Sequence, residues 1–425
     1  MKPEIKERID KIKRGEMPDG YKTSKIGVIP EDWDVKHLED ISNINPRKEV
    51  LDENDTVSFI SMSDVSDDAR LISYQPRLYK EVFKGFTSFR DGDVLVAKIT
   101  PCFENGKGAL VDNLINKTGF GSTEFHVLRS KKNGDELFIY YHTVTDRFRK
   151  IGEKNMTGTA GQKRISTDFV KGFLIPYPRN DIERKKIASI LSTWDKAIEL
   201  KEKLIEQKKQ QKKGLMRKLL TGEVRLPGFE GKWRSLRILN FCNTYSGGTP
   251  SRTRKEFYEN GTIPWIKSGE LNSRKVTQTE EYITEKALAN STAKLVNPET
   301  ILLALYGATA GVVAMSKIRA SINQAILAIV PNDNCDNNFL FYYLENHMDK
   351  VTKKYTQGGQ PNLNADIVKK MVVKLPSIEE QKAIANILSN IDNNIELLEK
   401  ELNGLKQQKK GLMQLLLTGK VRVKV

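Results

Sequence analysis

Basic and polar residues in turn-rich stretches are the residues of this sequence whose types and spacing could do chemistry. Lysine and arginine bind phosphate oxygens, and arginine, glutamine, serine and threonine also hydrogen-bond to base edges. In the first half of the chain these residues are Lys98, Thr100, Lys107, Lys163 and Arg164. In the second half they are Ser251, Arg252, Arg254, Lys255, Lys267 and Gln360. Each could equally be a solvated surface residue, so the pattern needs support from the rest of the chain.

Motifs for covalent chemistry do not match. Gly106-Lys107-Gly108 lacks the upstream glycine spacing and the following Ser or Thr of a phosphate-binding loop. Asn45-Pro46-Arg47 and Asn297-Pro298-Glu299 do not complete the loop with which DNA adenine methyltransferases hold a flipped base. The histidines and cysteines show no metal-ligand spacing. We therefore expect no catalytic residue, no metal and no cofactor on this chain.

The composition points to a polyanionic partner. The chain has 425 residues, which suits two or three domains, and its 70 Lys and Arg against 54 Asp and Glu give a net charge of +16. Such an excess favours nucleic acid through counterion release, although a basic soluble protein remains the alternative. Three widely spaced cysteines, a charged N-terminus and a longest apolar run over residues 301–315 predict a cytoplasmic protein with no leader and no membrane span.

An internal duplication organises the chain. Residues 187–225 read IASILSTWDKAIELKEKLIEQKKQQKKGLMRKLLTGEVR, and residues 384–422 read IANILSNIDNNIELLEKELNGLKQQKKGLMQLLLTGKVR. The copies align without a gap at an offset of 197, with about 25 of 39 positions identical. A fainter repeat before them aligns Trp33 with Trp233. The order is therefore globular segment, helix, globular segment, helix.

Apolar residues in both copies recur in alternating steps of four and three, which is the heptad pattern of helices that pack along their length. The predicted packing residues are Ile187, Leu191, Trp194, Ile198, Ile384, Leu388, Ile391, Ile395, Leu398 and Leu402. Lysines interrupt the seam at Lys201, Lys208, Lys212 and Lys409. A helix of about 38 residues is about 57 Å long, so we expect two antiparallel helices that act as spacers.

The predicted fold class is mixed α/β. Two globular domains stand in tandem, joined by two long antiparallel coiled-coil helices in a pseudo-two-fold repeat. Buried strands are expected at residues 93–98, 125–128, 300–305 and 325–329, while the strand order cannot be derived. The predicted boundaries are a helical arm over 1–20, a first domain over 21–178, a first helix over 179–222, a second domain over 228–376 and a second helix over 377–420.

Near-identical helices beside dissimilar globular segments suit two copies of one partner and two different half-sites on one DNA duplex. The chain resembles the specificity subunit of type I restriction-modification enzymes over essentially its whole length. The motifs that carry the resemblance include PSIEEQKAIA at 376–385, GLMQLLLTG at 411–419, KITPCFENGK at 98–107, GSTEF at 121–125, GGTP at 247–250, IPWIK at 263–267 and NQ at 323–324. Asn180–Arg184 departs slightly from the family, which has a Glu-Gln pair there.

The resemblance implies a non-catalytic subunit that recognises a bipartite, asymmetric sequence in double-stranded DNA. Each recognition domain would read one half, and the helices would fix the spacing and dock two modification (methyltransferase) subunits. Restriction subunits would complete the nuclease, with S-adenosylmethionine, ATP and Mg²⁺ held by the partners. Two alternatives stay open: a coiled-coil adaptor with incidental basic charge, and an enzyme whose chemistry is hidden in the globular segments.

Overall fold

The computed structural model describes residues 3–159, 161–357, 360–361 and 363–424, without the side chains of residues 356, 357, 360 and 361. The chain divides into two units. Unit 1 comprises Met1–Lys201 and Glu401–Val425, and unit 2 comprises Glu202–Lys400. Each unit therefore holds one globular segment, the beginning of one long helix and the end of the other. Within the described residues, no helix combines the length and apolar composition that a membrane crossing requires.

Unit 1 builds its globular part from short strands and helices. In chain order the elements are α1 (Pro3–Lys13), β1 (Tyr21–Ser24), β2 (Gly27–Pro30), β3 (Trp33–His37), α2 (Leu38–Ile41), β4 (Ser42–Ile44), β5 (Thr56–Ile60), β6 (Gln75–Leu78), α3 (Tyr79–Val82), β7 (Thr87–Arg90), β8 (Val94–Ala97), β9 (Gly108–Leu110), β10 (Thr118–Gly121), β11 (Phe125–Ser130), α4 (Glu136–Thr143), α5 (Asp146–Lys154), α6 (Thr167–Gly172), β12 (Leu174–Pro178) and α7 (Asp181–Thr221). The predicted strands at 93–98 and 125–128 are confirmed as β8 and β11.

The elements of unit 2 follow a closely similar plan. They are β13 (Arg234–Arg237), β14 (Cys242–Ser246), β15 (Ile263–Ile266), β16 (Lys275–Val276), β17 (Glu281–Ile283), α8 (Glu285–Ala289), β18 (Lys294–Val296), β19 (Ile301–Ala304), β20 (Val313–Ser316), β21 (Ala320–Ile322), β22 (Ile326–Pro331), α9 (Asn337–Lys354), β23 (Thr356–Gln357), β24 (Gln360–Pro361), α10 (Ala365–Lys369), β25 (Val372–Leu375) and α11 (Ile378–Leu417). The predicted strands at 300–305 and 325–329 are confirmed as β19 and β22.

The main sheets of the two units have similar topologies. Unit 1 has the orders β6-β5-β10-β7 and β4-β11-β8-β9, and unit 2 has β17-β15-β21-β18 and β14-β22-β19-β20-β16. In the first sheet of each unit the two central strands run parallel, β5 with β10 and β15 with β21. The eight strands of these two sheets in unit 1 thus have counterparts in unit 2, which adds β16 parallel to β20. The globular sequences nevertheless share only scattered residues.

The long helices α7 and α11 pack together and run antiparallel, because each unit pairs the start of one with the end of the other. Ion pairs connect them: the Lys201 amine lies 2.9 Å from Glu401 in unit 1, and the Lys209 amine lies 2.7 Å from Glu399 in unit 2. The predicted fold class, tandem mixed α/β domains with two packed long helices, is confirmed.

The predicted packing residues fall into two groups. Ile187 and Leu191 lie in the main core of unit 1, and Ile384 and Leu388 lie in that of unit 2, where the helix ends meet the globular segments. Nearer the helix centres the packing residues are either buried, as are Ile198 and Ile395, or half-buried, as are Trp194, Ile391, Leu398 and Leu402. The heptad pattern predicted only the other helix as partner and did not predict the globular cores at the helix ends.

Two of the lysines that interrupt the seam are explained by a repeated polar contact. In unit 2 the Lys212 amine lies 2.7 Å from Asp392, which also accepts a 2.7 Å hydrogen bond from the Tyr342 hydroxyl. In unit 1 Lys409 pairs with Asp195, which accepts the Tyr141 hydroxyl at 2.7 Å. Burial favours a raised pKa for Asp392, but Arg274 and Lys212 hold it below its usual value. Each contact joins both long helices to a helix of the globular segment.

A second repeated contact fixes the start of each long helix. In unit 1 the buried Glu183 accepts a hydrogen bond from the Trp33 indole at 3.1 Å and two from Arg422 at 2.6 and 2.9 Å. In unit 2 Arg225 donates to both oxygens of the buried Glu380 at 2.7 Å. The arginine that ends one repeat copy therefore binds the glutamate that begins the other long helix.

A buried histidine in α4 makes the stability of unit 1 depend on pH. Burial lowers the pKa of His142 to about 3, and its Nε2 has no hydrogen-bond partner among the described residues. The unfolded pKa is about 6.5, so below this pH the unfolded chain binds a proton that the folded chain excludes. The stabilising contribution is complete above pH 6.5 and is lost as the pH falls toward the folded value.

We expect the free energy of unfolding to fall by about 2 kcal/mol between pH 7 and pH 5 on account of His142. His142→Gln should remove this part of the pH dependence. Urea unfolding of the wild type and the variant at pH 7 and pH 5 would measure the difference. Part of the pH dependence should survive, because burial also lowers the pKa of His126 to about 4. An identical loss in the wild type and the variant would contradict the assignment.

Candidate nucleic-acid interface

One end of the sheets in unit 1 gathers the predicted polar residues. The Lys98 amide donates to the Glu124 carbonyl at 2.7 Å, and the Thr100 amide donates to the Lys163 carbonyl at 3.0 Å. Arg164 forms backbone bridges with Ile99 and with Thr157. These bonds bring segments 98–107, 122–124 and 157–165, of which residue 160 is not described, together. The segment 45–49 that follows β4 begins near them, where the Asn45 amide donates to the Val127 carbonyl at 2.7 Å. We call these four segments the loop end of unit 1.

Three of the predicted side chains at this end are used within the fold. The Lys98 amine donates to the Thr123 carbonyl at 2.8 Å, and burial lowers its pKa. The Thr100 hydroxyl donates to Glu104 at 2.5 Å. The Lys107 amine donates to the carbonyls of Met62 and Val65 at 3.0 and 2.7 Å. Their contact with DNA stays a prediction, and all three have a local role in holding loops.

The other two predicted residues differ from each other. Lys163 is exposed and its amine has no partner in the described part of the chain. Arg164 is paired with Glu124, to which its Nε donates at 3.0 and 3.1 Å and its Nη2 at 2.9 Å. The hydrogen bonds to this carboxylate raise the pKa of Arg164.

Unit 2 has an equivalent end, on which a glycine-rich turn is held tightly. The Gly248 amide donates to the Ile322 carbonyl at 3.1 Å, and the Trp265 indole donates to the Gly248 carbonyl at 3.2 Å. A Cβ on Gly247 would lie 1.8 Å from the Ile322 carbonyl oxygen, so only glycine fits. The Tyr258 hydroxyl donates to the Pro250 carbonyl at 2.6 Å. The loop end of unit 2 comprises segments 247–255, 267–273, 305–311 and 323–325.

This turn presents the polar run that follows it. Ser251 and Thr253 share a 2.8 Å hydroxyl hydrogen bond, and the Arg254 guanidinium lies 5.2 Å from the Phe257 ring. Lys255 is exposed, with no side-chain partner among the residues that the structure describes. The side chain of Gln360, also predicted to bind DNA, lies outside the described part of the structure.

Two further predicted cations in unit 2 share one carboxylate. Arg252 lies 2.7 Å from Glu281, and its guanidinium stands 4.5 Å from the Tyr258 ring and 5.1 Å from the Trp265 ring. The Lys267 amine lies 2.8 Å from the same Glu281, whose hydrogen bond raises the pKa of Lys267. Trp265 itself is buried, as expected of a core residue.

Sequence reasoning missed Arg47. It follows β4, which pairs with β11 as β14 pairs with β22, so it occupies the topological place of the turn that follows β14. Its side chain is exposed and has no partner among the described residues. An alignment of β4 with β14 would have placed Arg47 opposite the turn that follows β14. That alignment depends on strand pairing, which was not derivable from the sequence.

A known family matches both halves of the chain. The model of the type I restriction modification DNA specificity domain matches residues 30–210 and again residues 230–407. The chain belongs to this family. It is a type I restriction-modification specificity subunit.

Individual relatives resemble this specificity subunit over different lengths. The EcoEI specificity subunit of Escherichia coli is 37% identical over 183 residues, which cover 42% of this chain and 30% of that protein. The MjaVIII specificity subunit of Methanocaldococcus jannaschii is 28% identical over 428 residues, 93% of this chain and 94% of that one. The aligned part thus spans less than a third of the E. coli relative.

A solved structure supports the fold of the specificity subunit. It comes from work on complex assembly and conformational transition of the type I R-M system, and it covers 92% of this chain and 99% of its own. The TM-score is 0.62 at 19% identity, so the likeness shows a shared fold.

The lysine runs on the long helices of the specificity subunit are largely paired within the chain. By sequence, 208–213 and 406–410 could follow DNA phosphates, or form a solvated or docking face. Lys209 and Lys212 pair with Glu399 and Asp392, and Lys410 lies 2.8 Å from Asp146. These pairs favour the helix-face interpretation over phosphate contact.

The described part of the specificity subunit contains histidines, cysteines and carboxylates, which are possible metal ligands. No group of three or more His, Cys, Asp or Glu residues is arranged to hold a metal ion there. The three cysteines are free, and burial raises the pKa of Cys242 to about 12, which disfavours its thiolate.

Proposed function

We propose that this specificity subunit reads a bipartite, asymmetric DNA sequence, one half with segment 21–178 and the other with segment 228–376. The observation that carries the proposal is a strand order shared by the two units, apart from the additional strand β16, beneath loop ends that are not repeated. A shared scaffold with different loops presents two different sets of donors in equivalent places. Two such surfaces on one basic chain suit two unlike half-sites.

Unpaired cations at the loop ends support the DNA contact. Arg47 and Lys163 in unit 1 and Lys255 in unit 2 are exposed, and none has a side-chain partner among the described residues. A free cation neutralises a phosphate and releases condensed counterions, which contributes affinity without sequence preference. We infer that these residues contact phosphates and fix the position of each domain on the duplex.

The long helices are proposed to set the half-site spacing and to dock two modification subunits. Leu200 and Leu397 occupy the same position in the two repeat copies and stay 58% and 56% exposed. Gly214 and Gly411 also match, and a Cβ on either would meet nothing within 4 Å. Exposed positions that are identical in the two helices suit two copies of one partner.

The proposed partners beyond DNA are the two modification subunits and, in the full nuclease, the restriction subunits. S-adenosylmethionine, ATP and Mg²⁺ are assigned to those partners, and the complex is placed in the cytoplasm with its DNA. The donor set of the described residues, cationic and amide side chains on loops, suits recognition and not group transfer.

A salt titration tests the DNA contact. Arg47→Ala and Lys163→Ala are expected to weaken binding to specific and to random duplexes alike, and each should reduce the slope of log affinity against log salt by about 1. Lys25→Ala, which removes an exposed lysine of unit 1 outside the loop end, is the matched control. Binding that does not depend on salt would favour the adaptor alternative.

Methylated-base sequencing in a host that carries the subunit and its modification partner tests the bipartite reading. Exchange of segment 228–376 for that of another specificity subunit should change one half of the methylated motif and leave the other half intact. A change in both halves would contradict the proposal. Methyl transfer by the purified chain alone would favour the enzyme alternative.

A further inference from the structure

Each loop end carries one arginine that a glutamate holds in place. In unit 1 the Nε and Nη2 of Arg164 donate to Glu124, and Nη1 donates to the Gln162 carbonyl at 3.3 Å. In unit 2 Arg252 pairs with Glu281 and lies against the rings of Tyr258 and Trp265. Glu124 lies in the loop between β10 and β11, whereas Glu281 lies in β17. The two units therefore form the same kind of pair from different elements.

The pairing leaves directional donors free. Arginine has five N–H groups in one plane. Glu124 and the Gln162 carbonyl accept from three of those of Arg164, and the remaining two, one on each Nη, have no acceptor among the described residues. The side chain is about half exposed, so this edge is accessible. A guanidinium with a free two-donor edge matches the O6 and N7 acceptors of guanine in the major groove.

The carboxylates also make these arginines poor phosphate ligands. A glutamate oxygen about 3 Å from the guanidinium would repel an approaching phosphate and offset the attraction of the arginine. A base edge carries no net charge, so it meets no such repulsion and still accepts the oriented N–H donors. The held arginines therefore differ in kind from the free cations Arg47 and Lys163.

We propose that Arg164 and Arg252 each read a guanine, one in each half of the DNA target, and that Glu124 and Glu281 are positioning residues that aim them. The inference rests on the proposed function. It adds to that function the identity of one base, a guanine, in each half-site. In this proposal the two carboxylates contribute to discrimination between bases by orienting the arginines, although they contact arginine and not DNA.

Opposite effects on affinity and discrimination test the inference. Glu124→Gln removes one negative charge near the DNA, so binding to a random duplex should tighten a few-fold at low salt. The same change frees the guanidinium, so discrimination for guanine at one position should fall about tenfold or more. Glu281→Gln should do the same in the other half of the motif.

The experiment sequences methylated bases in a host that expresses the full chain with its modification subunit. The expected wild-type motif has a guanine in each half, and Glu124→Gln relaxes only one of them. Asp34→Asn is the control, since Asp34 holds Arg179 at 2.7 and 2.9 Å in the same unit but outside the loop end. Equal melting temperatures would show that the three proteins are equally folded.

A motif that stays unchanged in Glu124→Gln, or that relaxes at another base or in both halves, would overturn the inference. Tighter specific and random binding with unchanged discrimination would also overturn it, because the glutamate would then only mask the arginine. A wild-type chain that directs no methylation would overturn the proposed function itself, and the inference with it.

Discussion

Arg225→Met is expected to lower the free energy of unfolding, because it leaves a buried carboxylate without its cation. The side chain of Glu380 is 1% exposed and both its oxygens accept from Arg225 at 2.7 Å. The Trp233 indole nitrogen has no partner among the described residues, so it does not donate to Glu380 as the Trp33 indole donates to Glu183. Chemical unfolding followed by circular dichroism would measure the loss.

The repeated contact in unit 1 provides a matched comparison. Arg422→Met removes the equivalent cation, but Glu183 keeps the 3.1 Å hydrogen bond from the Trp33 indole. We therefore expect a smaller loss than for Arg225→Met. The double variant Arg225→Met with Glu380→Leu should recover most of the stability, since removal of both charges leaves no unpaired group. An unchanged free energy of unfolding for Arg225→Met alone would show that the contact behaves as an exposed ion pair.

Gly214→Leu combined with Gly411→Leu is expected to weaken binding of the modification subunit at least a hundredfold, about 2.7 kcal/mol or more. Both glycines lie inside long helices, on an exposed face with nothing within 4 Å of a Cβ. Glycine there costs roughly 1 kcal/mol relative to alanine and has no packing role in the described chain. We infer that a close approach by the proposed partner accounts for the glycine in both copies.

The same double variant should make the isolated chain more stable, by about 0.8 kcal/mol for each site, because leucine favours helix over glycine. Opposite signs for stability and docking separate an interface role from a folding role. Calorimetric titration of the modification subunit and chemical unfolding would measure the two effects. Unchanged docking would contradict the proposed face, and Lys196→Leu on α7, an exposed position where the copies differ, serves as the control.

The heptad seam was predictable because it depends on spacing alone. Leucine and isoleucine at four- and three-residue steps can be buried together only on one helix face, and the repeat showed that the face exists twice. The lysines at 212 and 409 looked like interruptions by the same rule. Their partners Asp392 and Asp195 lie far away in sequence and on the other helix, so spacing could not reveal them.

The candidate interface was less predictable for a related reason. Lys98, Lys107 and Lys163 are alike in sequence, yet the amines of the first two donate to backbone carbonyls, while that of Lys163 has no partner in the described ranges. Whether a lysine reaches a carbonyl depends on loop conformations set by remote contacts. Arg47 was missed because its place next to β11 follows from strand pairing and not from any motif.

The sequence by itself determined the duplicated plan, the two long helices, the mixed α/β class and the family, because periodicity, repetition and motifs are properties of the chain read in order. The tertiary structure alone decided the strand order, the glutamate–arginine contacts at the start of each helix and the division of the cations into free and held ones. These depend on groups brought together from distant positions, and the energy of a charge depends on its burial and neighbours, which no local pattern encodes.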